Sequence, residues 1–229
     1  MDTKGWKDHY VKNGSSIEKE LLEIFDKDSS PTIADIGSCD ALDTVIYSRI
    51  FPNSKFHVFE PVVENQNECL TNLYDYGVGD RAILHKCALG SRSGKANFYS
   101  SYGQIPDRNR IGSWNKSGSL LRPRLHILEF PWCRFKDSSV RVERLDSEVC
   151  GDIDFAHIDV QGAEMDVLRG GERALMNCKA IWIEVANVEL YKGQVLKYQL
   201  EMYLKSKDMK CMKDTCADGK YGDMLWVRQ

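Results

Sequence analysis

Four short apolar runs in the chain end on a carboxylate: Asp35 in TIADIG, Glu60 in KFHVFEP, Asp159 in FAHIDVQG and Glu184 in KAIWIEVAN. A carboxylate at the end of a buried strand is costly unless a partner or a ligand meets it, so these four invite a chemical explanation. The first lies in Asp35-Ile36-Gly37-Ser38-Cys39-Asp40-Ala41. There Gly37 permits close backbone approach, and Asp35 can accept hydrogen bonds from the loop or meet a cationic ligand. Glu60 follows 25 residues after Asp35, where a carboxylate can grip both hydroxyls of an adenosine ribose. A dinucleotide site would need GxGxxG to seat a pyrophosphate on a helix N-terminus. Only Gly37 is present here, and Asp40 and Asp43 flank the helix start. Two carboxylates repel a pyrophosphate and suit the amino and sulfonium charges of S-adenosylmethionine.

Methyl transfer from a sulfonium is an in-line displacement, in which a hydroxyl acceptor must also lose a proton. The candidate groups cluster at the later strand ends. Asp159 ends one strand, and His157, two residues earlier, shares its face at greater depth. Glu164 opens the next helix, where its charge favours the positive helix end. Glu184 nears the end of the following strand, with Asn187 just beyond. Asp159, His157 and Glu184 are therefore the expected catalytic residues. Asp159, Glu184 and Asn187 could also hold a divalent cation such as Mg2+, whose charge would acidify an acceptor hydroxyl.

The acceptor calls for a less regular surface. The stretch 100–135 lacks strong periodicity and carries Tyr102, Trp114, Trp132 and Arg108, Arg110, Arg122, Arg124 and Arg134. Aromatic faces and arginine forks suit sugars, phosphates or carboxylates, so a small molecule or glycan is the expected partner. Trp6, His9 and Tyr10 belong to an N-terminal helical segment, 1–30, that could close as a lid over a main domain spanning 31–229.

Positioning these groups requires strands alternating with helices. Residues 17–25 show helical apolar spacing, then a strand at TIADIG precedes a helix at ALDTVIYSRIF. KFHVFEP, a helix over 63–74 and RAILHKCALG follow; KANFYS and SVRVERLD look like an antiparallel addition. FAHIDVQG leads to a helix from about Ala163 to Met176, and KAIWIEVAN to one near 194–206. KCMK and DMLWVRQ close the chain as a hairpin. Such alternation implies an α/β fold, a doubly wound and mostly parallel sheet covered on both faces, with ligands at its carboxyl edge.

The bulk properties narrow the class. At 229 residues, with 42% hydrophobic and 28% charged, the chain suits one generous domain. A net charge of -3 offers no footprint for nucleic acid. No run approaches the length of a membrane span, and MDTKGWKDHYVKNG is too polar for a signal peptide. Eight scattered cysteines without CxxC fit reduced thiols in a cytoplasmic protein. The pattern leaves oligomeric state open.

From about Thr32 to Val185 the chain resembles the FkbM family of S-adenosylmethionine-dependent methyltransferases. ADIGSCDALDT is similar to the family's first loop, and FHVFEP to its second strand. CALG with the later Gly94, RVERLDS and WIEV have counterparts too. The most specific segment is HIDVQGAEMDVLRGGERAL, similar to KIDVEGAE-x-x-VL-x-G. The resemblance implies a seven-stranded, Rossmann-like sheet of the class I methyltransferase type. With the strand-end rule it assigns Asp35, Gly37, Ser38, Asp40, Glu60, Pro61, Ala88, Asp159 and Gln161 to the cofactor. It implies O-methylation of a hydroxyl on a sugar, glycan or secondary metabolite. N-methylation and a non-catalytic scaffold that binds S-adenosylmethionine are the alternatives. Three positions depart from the family pattern: Ala41 stands where a second glycine is common, Gln161 where a glutamate is usual, and His157 where a lysine is common.

Overall fold

The computed structural model describes residues 3–104 and 114–229. Two helices, α1 (Thr3–Asn13) and α2 (Glu18–Ile24), precede strand β1 (Thr32–Ile36), helix α3 (Leu42–Ile50) and strand β2 (Lys55–Phe59). Helix α4 (Val63–Asp75) leads to β3 (Ala82–His85), and the short β4 (Ala88–Leu89) leads to β5 (Gly94–Gly103). Helix α5 (His126–Glu129) precedes β6 (Cys133–Glu143), α6 (Leu145–Glu148) and β7 (Phe155–Ile158). The chain continues through α7 (Glu164–Gly170), β8 (Ala180–Ala186), α8 (Lys197–Lys205), β9 (Met209–Asp214) and β10 (Tyr221–Arg228).

Seven strands form one sheet in the order β3-β2-β1-β7-β8-β10-β9. The first five run parallel, and β10 lies antiparallel between β8 and β9. Alternate residues of a strand face opposite sides, so both sides of this sheet must be covered. Ile33, Phe155, Ala180 and Trp182 enter one core with α3 and α4. Ala34, Ile36, Ala156, Ile158 and Ile181 enter the other with α7 and α8. The doubly wound, mostly parallel expectation holds, and so does the closing hairpin.

Local details differ from the pattern. RAILHKCALG divides: its first half is β3 of the main sheet, while Ala88–Leu89 joins a second sheet ordered β4-β6-β5. Within that sheet β5 and β6 form a long antiparallel hairpin reaching back to Gly103 and Cys133. The segment 100–135 is therefore partly regular. The helix expected to run to Met176 stops at Gly170, and turns follow. A Cβ on Gly170 would meet the Gly90 carbonyl oxygen at 2.1 Å, and one on Gly171 would meet Leu145 at 2.7 Å. Gly170 lets the helix end press onto the turn after β4 and Gly171 lets it press onto α6, and these contacts outrank the apolar period. Among the described residues no helix is long and apolar enough to cross a membrane.

Candidate active site

A cavity of about 680 Å³ opens at the carboxyl ends of β1, β2 and β7. Gly37, Asp40, Glu60, Pro61, Ala88, Asp159 and Gln161 line it, joined by Trp6, Lys7 and Tyr10 of α1 and by Trp114 to Lys116. Gly37 explains how two loops meet here. Its φ is +87°, and a Cβ would fall 1.8 Å from the Asp159 carbonyl oxygen. No residue with a side chain fits while the backbone after β1 lies against that after β7. The N–H groups of Gly37 and Ser38 both donate to the Phe59 carbonyl at 3.1 Å, which ties the loop to β2 as well.

Asp35 lies under this loop, 2% exposed. Ser38 Oγ and Thr44 Oγ1 donate to its Oδ2 at 2.7 and 2.6 Å, so Asp35 and Ser38 shape the turn from beneath the cavity. Cys39 and Ala41 both hold positive φ, 58° and 60°. Ala41 thus takes the left-handed shape that a glycine adopts freely, at a cost of about 1 kcal/mol. Between them, Asp40 accepts the Leu42 N–H, the first of α3, at Oδ1, 3.1 Å. Its Oδ2 pairs with Lys116 Nζ at 2.6 Å, and Tyr10 OH donates to Asp43 Oδ1 at 3.0 Å. Both aspartates at the helix start therefore already carry protein partners.

Glu60, 4% exposed, accepts the Cys39 N–H at 3.0 Å and the Val62 N–H at 2.7 Å. Burial lifts its pKa to about 7, against the pull of those two hydrogen bonds. It is a preformed, fixed carboxylate on the cavity wall.

At the other end of the cavity Gln161 organises the acids. Its φ of 55° turns the side chain back, and Nε2 donates to Asp159 Oδ1 at 2.7 Å and Glu184 Oε2 at 2.9 Å. Tyr191 OH lies 3.0 Å from Gln161 Oε1 and 2.9 Å from the Ser117 carbonyl, while Ser119 Oγ donates to the Gln161 carbonyl at 2.7 Å. Burial, and then the Asp159 charge beside it, push the Glu184 pKa well up. Glu164 accepts the Gly162 N–H at 2.9 Å and, under burial, has its pKa raised to about 7. Its backbone-bonded position is structural.

His157 sits under the loop. Its Nδ1 is 3.7 Å from Asp35 Oδ1 and has no hydrogen-bond partner among the described residues, and its ring meets Tyr47 edge-on. Burial opposes its charge, yet Asp43, Asp35, Asp159 and Asp223 outweigh it and raise the pKa. Asn187 is not brought to Asp159 and Glu184. It is exposed, and Nδ2 donates to the carbonyls of Cys216 at 3.1 Å and Gly219 at 2.8 Å. Among the described residues no group of three or more His, Cys, Asp or Glu could hold a metal ion.

On the acceptor side, Tyr102, Trp114 and Lys136 line the cavity, and Trp132 supports Trp114 edge-on at 5.4 Å. Arg122 and Arg134 are exposed and Arg124 pairs with Glu189, away from the lining. Arg108 and Arg110 lie outside the described residues. Of the N-terminal aromatic trio, Trp6 and Tyr10 reach the cavity, while His9 bonds Asn13. Lys116, Tyr191 and Ser119 were not expected from the sequence. Each acts through a partner 30 or more residues away, and nothing in its local pattern marks it.

The Methyltransferase FkbM domain model matches residues 35–211. The chain is 32% identical over 185 residues to the 2-O-methyltransferase NoeI of Sinorhizobium fredii, covering 78% of this chain and 72% of that one. It is 28% identical over 178 residues to Methyltransferase 1 of Beauveria bassiana, covering 70% of each. Among solved structures, the FkbM methyltransferase of Methylobacillus flagellatus superposes with a TM-score of 0.58 at 13% identity, a likeness of fold. It covers 96% of this chain, which spans half the length of that one.

Proposed function

The chain belongs to the FkbM methyltransferase family, and we propose that it O-methylates a hydroxyl of a sugar or glycan, with Asp159 as the proton acceptor. Membership implies S-adenosylmethionine as the methyl donor. The donor set on the wall fits that molecule. Glu60 is a buried carboxylate with its orientation already fixed, suited to a vicinal diol, and Phe59, Pro61, Ala88 and Leu89 offer an apolar bed beside it. When bound, S-adenosylmethionine supplies a methyl group on a sulfonium. In this reading Gly37, Asp40, Glu60, Pro61, Ala88, Asp159 and Gln161 touch it, while Asp35 and Ser38 keep the loop in shape.

The observation that carries the hydroxyl reading is Asp159. It is a carboxylate on the cavity wall, held by an amide donor, beside the glycine where two loops touch. An acceptor that must shed a proton needs such a group within hydrogen-bond reach. Glu184 stands behind it in a form that burial drives towards neutrality, and Gln161 sets the orientation of both. His157 buffers the buried Asp35 from below. The relative named as a 2-O-methyltransferase supports an oxygen acceptor. Tyr102 and Trp114 give the cavity mouth the aromatic faces that sugars favour. The unpaired thiols support residence in a reducing compartment such as the cytoplasm.

A divalent cation does not fit these residues. The Gln161 amide nitrogen, a donor, stands between Asp159 and Glu184, and Asn187 is spent on the terminal hairpin. The test of the reading is to offer the chain labelled S-adenosylmethionine with a panel of free and oligomeric sugars and of amines, and to identify products by mass spectrometry. Sugar O-methyl ethers are expected. Methylated amines with untouched sugars would overturn it.

A further inference from the structure

Lys116 is the least expected member of the cavity wall. It follows a stretch outside the described residues, yet its ammonium reaches Asp40 at 2.6 Å on the loop after β1. The rings of Trp6 and Tyr10 lie 5.8 and 5.7 Å from the same nitrogen, so cation–π attraction holds it from the side of α1. Burial works against its charge, but the Asp40 carboxylate more than offsets this and raises the pKa, so the group is an ammonium. An ammonium carries three N–H donors. One goes to Asp40, and the other two make no hydrogen bond among the described residues. Asp40 in turn is 3% exposed and fixed by the Leu42 N–H, with lone pairs to spare.

We propose that Lys116 and Asp40 together form the subsite for the α-amino-acid end of the methyl donor, Lys116 taking its carboxylate and Asp40 its ammonium. The assignment rests on S-adenosylmethionine being the donor. That end of the molecule is a zwitterion, adjacent opposite charges with no net charge. A lone aspartate would satisfy the ammonium and repel the carboxylate, whereas an ion pair offers each charge its opposite and leaves no buried charge unpaired. Other lysines on the wall are already committed. Lys7 donates to Asn72 at 2.9 Å and pairs with Glu68 at 3.1 Å, and Lys136 stands exposed, 3.7 Å from Glu64. Lys116 is the wall cation that combines free donors, a fixed position and contact with the loop that ends β1.

Calorimetry on the full chain tests this with two ligands: S-adenosylhomocysteine, and its decarboxylated analogue, which keeps the ammonium. The wild-type chain should bind the analogue about tenfold more weakly, as expected for a lost charge-assisted contact. Lys116→Met should weaken S-adenosylhomocysteine by about the same factor and leave the analogue within about twofold, so that the gap closes. Lys116→Arg, which keeps the charge, should retain most of the gap. Equal wild-type affinities would overturn the assignment even if Lys116→Met fails to fold. So would a gap that persists in Lys116→Met, or equal losses on both ligands. If neither ligand binds the wild-type chain, the donor reading falls and takes this subsite with it. If both bind and only the gap is missing, the donor reading stands alone.

Discussion

The sheet ends in acid twice, and the two ends are built differently. At β1 and β2, each carboxylate is held by its own surroundings: Asp35 by the hydroxyls of Ser38 and Thr44, Glu60 by the N–H groups of Cys39 and Val62. At β7 and β8, Asp159 and Glu184 share one side-chain amide, that of Gln161, and Glu184 is pushed towards its neutral form. Fixed partners make a mould that holds a ligand still. Two adjacent carboxylates on one shared amide donor make a pair in which a proton is readily accommodated. In the proposed reading the contrast separates holding from reacting within a single cavity.

The sharpest way to break that contrast is Asp159→Ala. Turnover should fall by roughly 10²- to 10⁴-fold, the range for a lost general base, a loss well beyond any drop in calorimetric affinity for S-adenosylhomocysteine. Activity that survives the change would move the chemistry elsewhere. Glu60→Ala should do the reverse, weakening donor binding by roughly 1–3 kcal/mol through lost charged hydrogen bonds. Asp35→Ala strips two buried hydroxyls of their acceptor and should cost about 2 kcal/mol of stability, seen as a melting temperature lower by roughly 4–8 °C. An unchanged melt would mean that the mould is not held by Asp35.

Protonation offers a gentler probe. Glu60 and Glu164 have pKa values of about 7 in the fold, raised by burial from an ordinary 4.5. A raised carboxyl pKa favours the folded state when protonated. Its contribution is therefore complete below about pH 4.5 and lost as pH rises through about 7. Thermal melts between pH 5 and 8 should show that loss, and Glu164→Gln should flatten it by on the order of 2 kcal/mol. A variant with the wild-type slope would remove Glu164 from the account. Smallest of all is the response to EDTA: with Asn187 turned to the hairpin, the transfer rate should stay unchanged. A rate that collapses and returns with Mg2+ would reinstate a cation between Asp159 and Glu184.

The main sheet was legible because its strands are buried on both faces, so TIADIG, FAHIDVQG and KAIWIEVAN stand out as apolar runs with marked ends. Glu60 and Asp159 were legible for the same reason: each breaks such a run at its end. The end of α7 was not. Gly170 and Gly171 interrupt an apolar period that continues to Met176, and the packed neighbours, the Gly90 carbonyl and the Leu145 side chain, lie outside the local pattern. The acceptor side was legible only in part. A cluster of arginines in one segment looked like a recognition surface, but Arg122, Arg124 and Arg134 leave the wall to Lys136 and Tyr102. Lys116 could not be read at all, because an ion pair with a loop 76 residues earlier has no local trace. Ala41 stands where the family commonly has a glycine, and the structure gives that departure a shape: the left-handed turn stays and alanine bears it.

The contact at Gly37 also tells a protein engineer where to spend a mutational library. With a backbone oxygen 1.8 Å from where its side chain would begin, position 37 admits a single amino acid, and any clone altered there is lost before selection starts. Tyr102 and Lys136 face the same chamber from the β5–β6 hairpin, with Trp114 also on the wall, and the tight backbone contact of that hairpin falls at Gly103, where a Cβ would meet the Trp132 carbonyl oxygen at 2.4 Å, and on none of these three. Diversity placed on that hairpin would change which molecules enter while the inherited machinery opposite stays in register.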